Sequence, residues 1–258
     1  MLTRNTPSAP RPGGWKLWAL APAMLLAAGS WDGGSQALAS PATAPANVTY
    51  RIIPLWESDA TTQPDINSRN QVVFTVGMPG RAKFYDGRTV RDIGTLGGSE
   101  TYAYRVNDLG QVVGESAINA ANNLHAFLWS QKTGMIDLGA LPPAPGNSAA
   151  SDINNGGQIA GSAQVLGRNH AILWSRKTGM LDLGALPGAV HTAASAINEA
   201  GQVAGTSGDQ AFLWSRASGM VGLGTGTVGI FLNAAGQVAG TAAKADGATV
   251  SWIWTPKL

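Results

Sequence analysis

The sequence predicts an all-β fold assembled from repeats, and three observations carry that prediction. Tryptophan recurs in one context, at Trp129 in HAFLWS, Trp174 in HAILWS, Trp214 in QAFLWS and Trp254 in SWIWT, with spacings of 45, 40 and 40 residues. A second motif, Asn-x-x-Gly-Gln followed by a small apolar run, recurs in step with it. Glycine supplies 34 of 258 residues, roughly twice its usual share. It does so without a Gly-X-Y period, which marks short strands joined by tight turns. Self-similarity at about 40 residues is the signature of a repeat architecture.

The turn motif occurs five times, as INSRNQVVF, VNDLGQVVG, INNGGQIAG, INEAGQVAG and LNAAGQVAG, beginning at Ile66, Val106, Ile153, Ile197 and Leu232. Asn67, Asn107, Asn154, Asn198 and Asn233 are placed to fold their side chains onto the turn amides as Asx-turns. The turn closes on Gly110, Gly156 (extended by Gly157), Gly201 and Gly236, with Asn70 in the first copy. Asparagine is the residue that, after glycine, best tolerates a left-handed backbone.

Each unit then holds four strands: a small-residue segment ending at the Asn (NSAASD, HTAASA), the QVVG strand, the AFLW strand, and the D-L-G strand. The last of these reads VRDIGTL at 90–96, MIDLGAL at 135–141, MLDLGAL at 180–186 and MVGLGTG at 220–226. Apolar residues on both faces of HAFLWS suit a sheet covered on both sides. Four strands per 40–45 residues is the content of a propeller blade. The aromatic at Tyr85, 44 residues before Trp129, brings the count to five. No D-L-G strand follows Trp254, whereas YRIIPLW at 50–56 is such a strand with nothing before it. The expectation is therefore a five-bladed β-propeller of four-stranded blades over 50–258, its last blade completed by the N-terminal strand. Closure of that kind removes an exposed sheet edge.

Residues 1–39 read as an export signal: Arg4, Arg11 and Lys16 precede an apolar run at 17–28, and Ala37-Leu38-Ala39 gives a cleavage pattern before Ser40. The apolar run is shorter than the ~20 residues of a membrane span, so no span is expected in the mature chain. Residues 40–49 form a short flexible lead-in. Without the leader the chain carries 14 basic and 14 acidic side chains. That balance leaves no basic stripe for nucleic acid. Cysteine is absent, so packing rather than disulfides must hold a secreted or periplasmic protein together.

With these motifs assembled, the chain resembles the bacterial extracellular HAF-repeat proteins. His125-Ala126-Phe127, His170-Ala171-Ile172 and Gln210-Ala211-Phe212 carry the resemblance, together with W-S-x-x-T-G-M-x-D-L-G-x-L and I-N-x-x-G-Q-V-x-G over 60–258. The resemblance implies an exported repeat protein and brings no established reaction with it.

Little in the sequence points to catalysis. Three histidines, His125, His170 and His191, are too few and too scattered across repeats for a zinc site, and no metal or cofactor is implied. Glu57, Glu100, Glu115 and Asp152 fall outside the repeat pattern and are the carboxylates a glycosidase would have to pair. A repeated hydroxyl is the sharper signal. Counting six residues back from each turn Asn gives Thr61, Thr101, Ser148, Thr192 and Thr227. They are candidate ligand-binding hydroxyls at the mouth of a central channel, or caps of the strand starts. The function expected is a recognition scaffold for a glycan or protein ligand, not an enzyme. The alternatives are a hydrolase of extracellular polysaccharide and a purely structural surface protein.

Overall fold

The computed structural model describes residues 52–56, 64–143, 146–225, 227–243 and 248–256; the expected export signal and lead-in lie outside the described residues. All regular structure there is β. Five antiparallel sheets follow one another along the chain, each ordered as its strands run. The first holds β1 (Asp65–Ile66), β2 (Val72–Val76), β3 (Arg81–Tyr85) and β4 (Val90–Asp92). The second holds β5 (Thr101–Val106), β6 (Val112–Ala117), β7 (Leu124–Ser130) and β8 (Gly134–Asp137). β9 (Ser148–Ile153), β10 (Ile159–Val165), β11 (Arg168–Ser175) and β12 (Gly179–Asp182) make the third. β13 (Thr192–Ile197), β14 (Val203–Ser207), β15 (Gln210–Ser215) and β16 (Gly219–Thr225) make the fourth. The last has three strands, β17 (Thr227–Leu232), β18 (Val238–Ala243) and β19 (Thr249–Trp254).

The core lies between sheets. Phe84 of the first sheet meets Phe127 and Trp129 of the second, the Phe84 and Trp129 rings standing 5.0 Å apart and tilted by 53°. Leu128 and Ile159 join the second sheet to the third, Leu173 and Phe212 the third to the fourth, Ala204 and Val238 the fourth to the fifth. Adjacent HAFLWS residues thus serve opposite junctions, which is why neither face of the strand is polar. Burying one such phenylalanine contributes roughly 2–3 kcal/mol.

The glycine of Q-V-x-G has a separate cause. In the second to fourth sheets the first strand bulges against the second. A Cβ on Gly114, Gly161 or Gly205 would stand 2.0 Å from the carbonyl oxygen of Tyr102, Ala149 or Ala193. Only a residue without a side chain lets the two backbones approach so closely.

The two ends depart from the repeat. Residues 52–56 pair with no sheet, so the expected strand pairing with β19 is not seen; Trp56 instead lies 4.9 Å from Lys83 Nζ on β3. Trp252 and Ile253 of β19 are exposed.

Candidate functional site

The turn motif builds a network that runs from sheet to sheet. In the third copy Asn154 Oδ1 accepts from the Gln158 amide at 2.9 Å, and its Nδ2 donates to Gln158 Oε1 at 2.9 Å. The second proton of that Nδ2 goes to the Asn198 carbonyl of the next sheet at 3.0 Å. The same reach links Asn67 to Asn107, Asn107 to Asn154 and Asn198 to Asn233, at 2.8, 3.1 and 3.0 Å. The five asparagines are turn makers, as their spacing implies, and four of them also tie each sheet to its successor. The left-handed residue closing each turn is Asn70, Gly110, Gly157, Gly201 or Gly236, with φ from 59° to 77°; in the third copy it is Gly157, not Gly156. An outer series runs beside this one. The Ser68, Asp108 and Asn155 amides donate to side chains of Asp108, Asn155 and Glu199. These bonds hold the Asp108 carboxyl below its ordinary range, the Ser68 contact first.

The predicted hydroxyls lie elsewhere and do other work. Thr101, Ser148 and Thr192 are buried. Thr101 Oγ1 donates to the Gly94 carbonyl and contacts Ser116 Oγ, both at 2.9 Å. Ser148 Oγ accepts from the Ala126 amide of the preceding sheet at 2.9 Å, and Thr192 Oγ1 accepts from Ala171 at 2.7 Å. All three hydroxyls are cut off from solvent and engaged within the protein, and those of Ser148 and Thr192 stitch neighbouring sheets together. Thr61 lies outside the described residues, and Thr227 opens β17.

The repeated histidines pair within their own sheets. His125 Nδ1 stands 2.9 Å from Asp137, and His170 Nδ1 stands 2.7 Å from Asp182, across neighbouring strands. Each aspartate also accepts from the glycine amide two residues on. In the fourth sheet both partners are replaced together, by Gln210 and Gly222, and Gln210 Oε1 comes within 2.9 Å of where a Gly222 Cβ would stand.

The acids outside the repeat divide into two groups. Tyr104 Oη donates to Glu115 Oε1 at 2.6 Å, and Tyr102 Oη to Glu100 Oε2 at 3.0 Å. Burial pushes the Glu115 carboxyl and the Tyr104 phenol up from their ordinary values, and the Glu100 charge adds to the rise at Glu115. Asp152 sits apart, with Arg105 Nε 4.0 Å away. Burial raises its carboxyl too, against the opposing donation of the Ile197 amide. Glu57 lies outside the described residues.

Clefts open where successive sheets meet, at the end carrying the turn motif. One, about 550 Å³, lies between Gln71, Leu109 and Gln111 on the inside and the β7–β8 hairpin tip on the outside. The next, about 290 Å³, repeats that construction one sheet on, between Gln111, Gly157 and the β11–β12 tip.

No family model matches the chain, and no curated protein matches it. Solved structures do. TolB from Acinetobacter baumannii is similar with a TM-score of 0.54 at 10% identity, over 76% of this chain and 52% of that one. A streptogramin B lyase is similar with a TM-score of 0.51 at 13% identity, over 76% of this chain and 69% of that one. The chain spans about half the length of TolB. At such identities the likeness concerns the fold alone, and it puts the five sheets among β-propeller architectures.

Proposed function

We propose that this chain is an exported recognition scaffold of the HAF-repeat kind, closed into a five-bladed ring, that takes a glycan or protein ligand on its turn-motif face. The observation that carries the proposal is the recurrence of the same cleft at successive sheet junctions on that face. Equivalent shallow sites in a row suit multivalent binding, in which avidity adds affinity without new contacts.

Closure draws support from the sheet-to-sheet packing. The last leucine of each D-L-G-x-L segment packs on the next sheet: Leu96 joins the cluster of Phe127, Leu141 that of Ile172, Leu186 that of Phe212. In the repeat alignment Trp56 takes the leucine position and Lys83 that of Ile172. Their contact therefore repeats, on the first sheet, what a preceding blade would make.

A glycan array probed with the purified chain tests the function. Leu109 is 57% exposed in the cleft, so Leu109→Glu is expected to abolish binding without lowering the melting temperature. Unchanged binding by that variant would move the site off this face. A hydrolase is the second reading, favoured by the raised carboxyl of Glu115 beside Glu100. Polysaccharide turnover lost in Glu115→Gln would establish it.

A further inference from the structure

The turn network fixes which way its glutamines face. Asn67, Asn107, Asn154 and Asn198 each spend Oδ1 on backbone amides, so the group they present to the following glutamine is Nδ2, a donor. Gln71, Gln111, Gln158 and Gln202 must answer with Oε1, at 2.7 to 2.9 Å. An amide whose oxygen is held in this way turns its NH2 group outward. In none of the four does Nε2 find a protein acceptor among the described residues, and all four side chains are half-buried. The result is a row of pinned donors, one per sheet.

Cations stand opposite them. Lys132 lies on the β7–β8 tip, and Arg176 and Lys177 lie on the β11–β12 tip. All three are exposed, and none makes an ion pair among the described residues. The tips themselves are rigid: Ser130 and Thr133 bond at 2.7 Å, and Ser175 and Thr178 repeat that bond at 2.7 Å. No carboxylate lines either cleft. Asp108 and Glu199 lie on the inner side, engaged by the Ser68 and Asn155 amides. Three cations without an ion pair among the described residues and two fixed amide donors thus stand around one pair of adjoining clefts.

We infer that these two clefts bind a carboxylated polysaccharide, its carboxylates on Lys132, Arg176 and Lys177 and its hydroxyl and ring oxygens on the Gln71 and Gln111 amides. This rests on the recognition reading above and names the ligand class for it. Outward amide donors suit an acceptor-rich ligand, and cations prefer an anionic one. Single-stranded nucleic acid meets the charge requirement, but it is held by exposed aromatic platforms. The tryptophans of the tips' own strands, Trp129 and Trp174, are buried or half-buried.

Polygalacturonate oligomers, neutral galactan oligomers and single-stranded DNA, titrated into the full chain, test the inference. Polygalacturonate is expected to bind best and to weaken as salt rises, because screening shortens the reach of exposed charges. The triple variant Lys132→Gln/Arg176→Gln/Lys177→Gln should lose at least about tenfold in affinity, as rim charges removed from a complementary surface do, with its melting temperature unchanged. Gln111→Glu keeps the acceptor for Asn107 while replacing the outward donor with a negative charge, and should weaken binding similarly. Polygalacturonate affinity no better than that of galactan, or unmoved by the triple variant, would overturn the inference and leave the recognition reading standing. Tighter binding of DNA would overturn it in favour of a nucleic-acid surface. Failure of a whole glycan array and of protein capture would instead count against the recognition reading itself.

Discussion

The third sheet and the last carry the same turn motif and use it differently. Asn154 is 3% exposed and spends both Nδ2 protons, one in its own turn and one on the sheet beyond. Asn233 is exposed, and among the described residues its Nδ2 reaches only Gln237. Within its own turn each side chain donates to the Gln four residues on and accepts from that residue's amide, and Asn233 accepts from the Ala235 amide as well. What differs is whether a further sheet is there to receive the second proton. The motif is therefore as much a junction element as a turn element, and its worth depends on position in the series. Repeat proteins in general divide their stability between units and the contacts joining them.

The largest test of that contrast is in the core. Phe127 is fully buried between the first two sheets, whereas Trp252 on β19 is 49% exposed. Phe127→Ala should cost roughly 3–5 kcal/mol in chemical denaturation, while Trp252→Ala should fall within about 0.5 kcal/mol of the parent. Equal losses would mean that the last sheet's outer edge is covered in solution.

Asparagine follows. Asn154→Ala leaves the Asn198 carbonyl, the Gln158 backbone amide and Gln158 Oε1 without their partner in a buried place, at about 2–3 kcal/mol. Asn233→Ala should cost about 1 kcal/mol, the loss of an exposed turn alone. If the two variants melt alike, the sheet-to-sheet bond adds nothing.

Smaller still is a pH effect at Glu115. Its carboxyl is raised in the folded chain, so the native state keeps a proton that the unfolded chain releases near pH ~4.3. Stability is fully present below that pH and declines as pH rises through the raised value. Glu115→Gln should flatten the decline, seen in melting temperature across pH 4 to 8 (roughly). An unchanged slope would assign the decline to another group, Asp152 first. The smallest effect is expected at His170→Gln, near zero in a thermal melt, because the exposed His170–Asp182 pair is worth little and Gln210 already occupies the equivalent place.

Much of this architecture is legible in the sequence because the repeat samples it several times. The strand order, the left-handed turn position and Asn70 as stand-in for glycine all follow from residue types at a fixed period. Junctions are harder to read. The reach from Asn107 to the Asn154 carbonyl spans 47 residues, and a period says which positions are equivalent but not what lies across from them. The hydroxyl positions show the same limit: the period marks Ser148 and Thr192 as equivalent, but not that both face the neighbouring sheet. A signal for the histidines was within reach, since Gln210 and Gly222 replace His and Asp in the same copy. The acid–tyrosine group had none, because Glu115 and Tyr104 occur once and nothing in the repeat couples them.

The asparagine series has a direction. Every link donates from the earlier sheet to the later one, so the described chain ends in two complementary halves. Among the described residues Asn233 Nδ2 has no acceptor on a further sheet, and the Asn67 carbonyl accepts only from its own turn, at Asn70. Joining such halves is a heterologous contact, of the kind that makes rings when the rotation closes and open filaments when it does not. Two halves joined within one molecule would meet at an effective concentration in the millimolar range, roughly, far above that of a dilute second copy. Polarity of the bond and tethering of its ends would thus set assembly size together: a variant that held the two ends of one molecule apart while leaving both intact would let each donor end recruit the receiving edge of the next molecule, and so give a polymer.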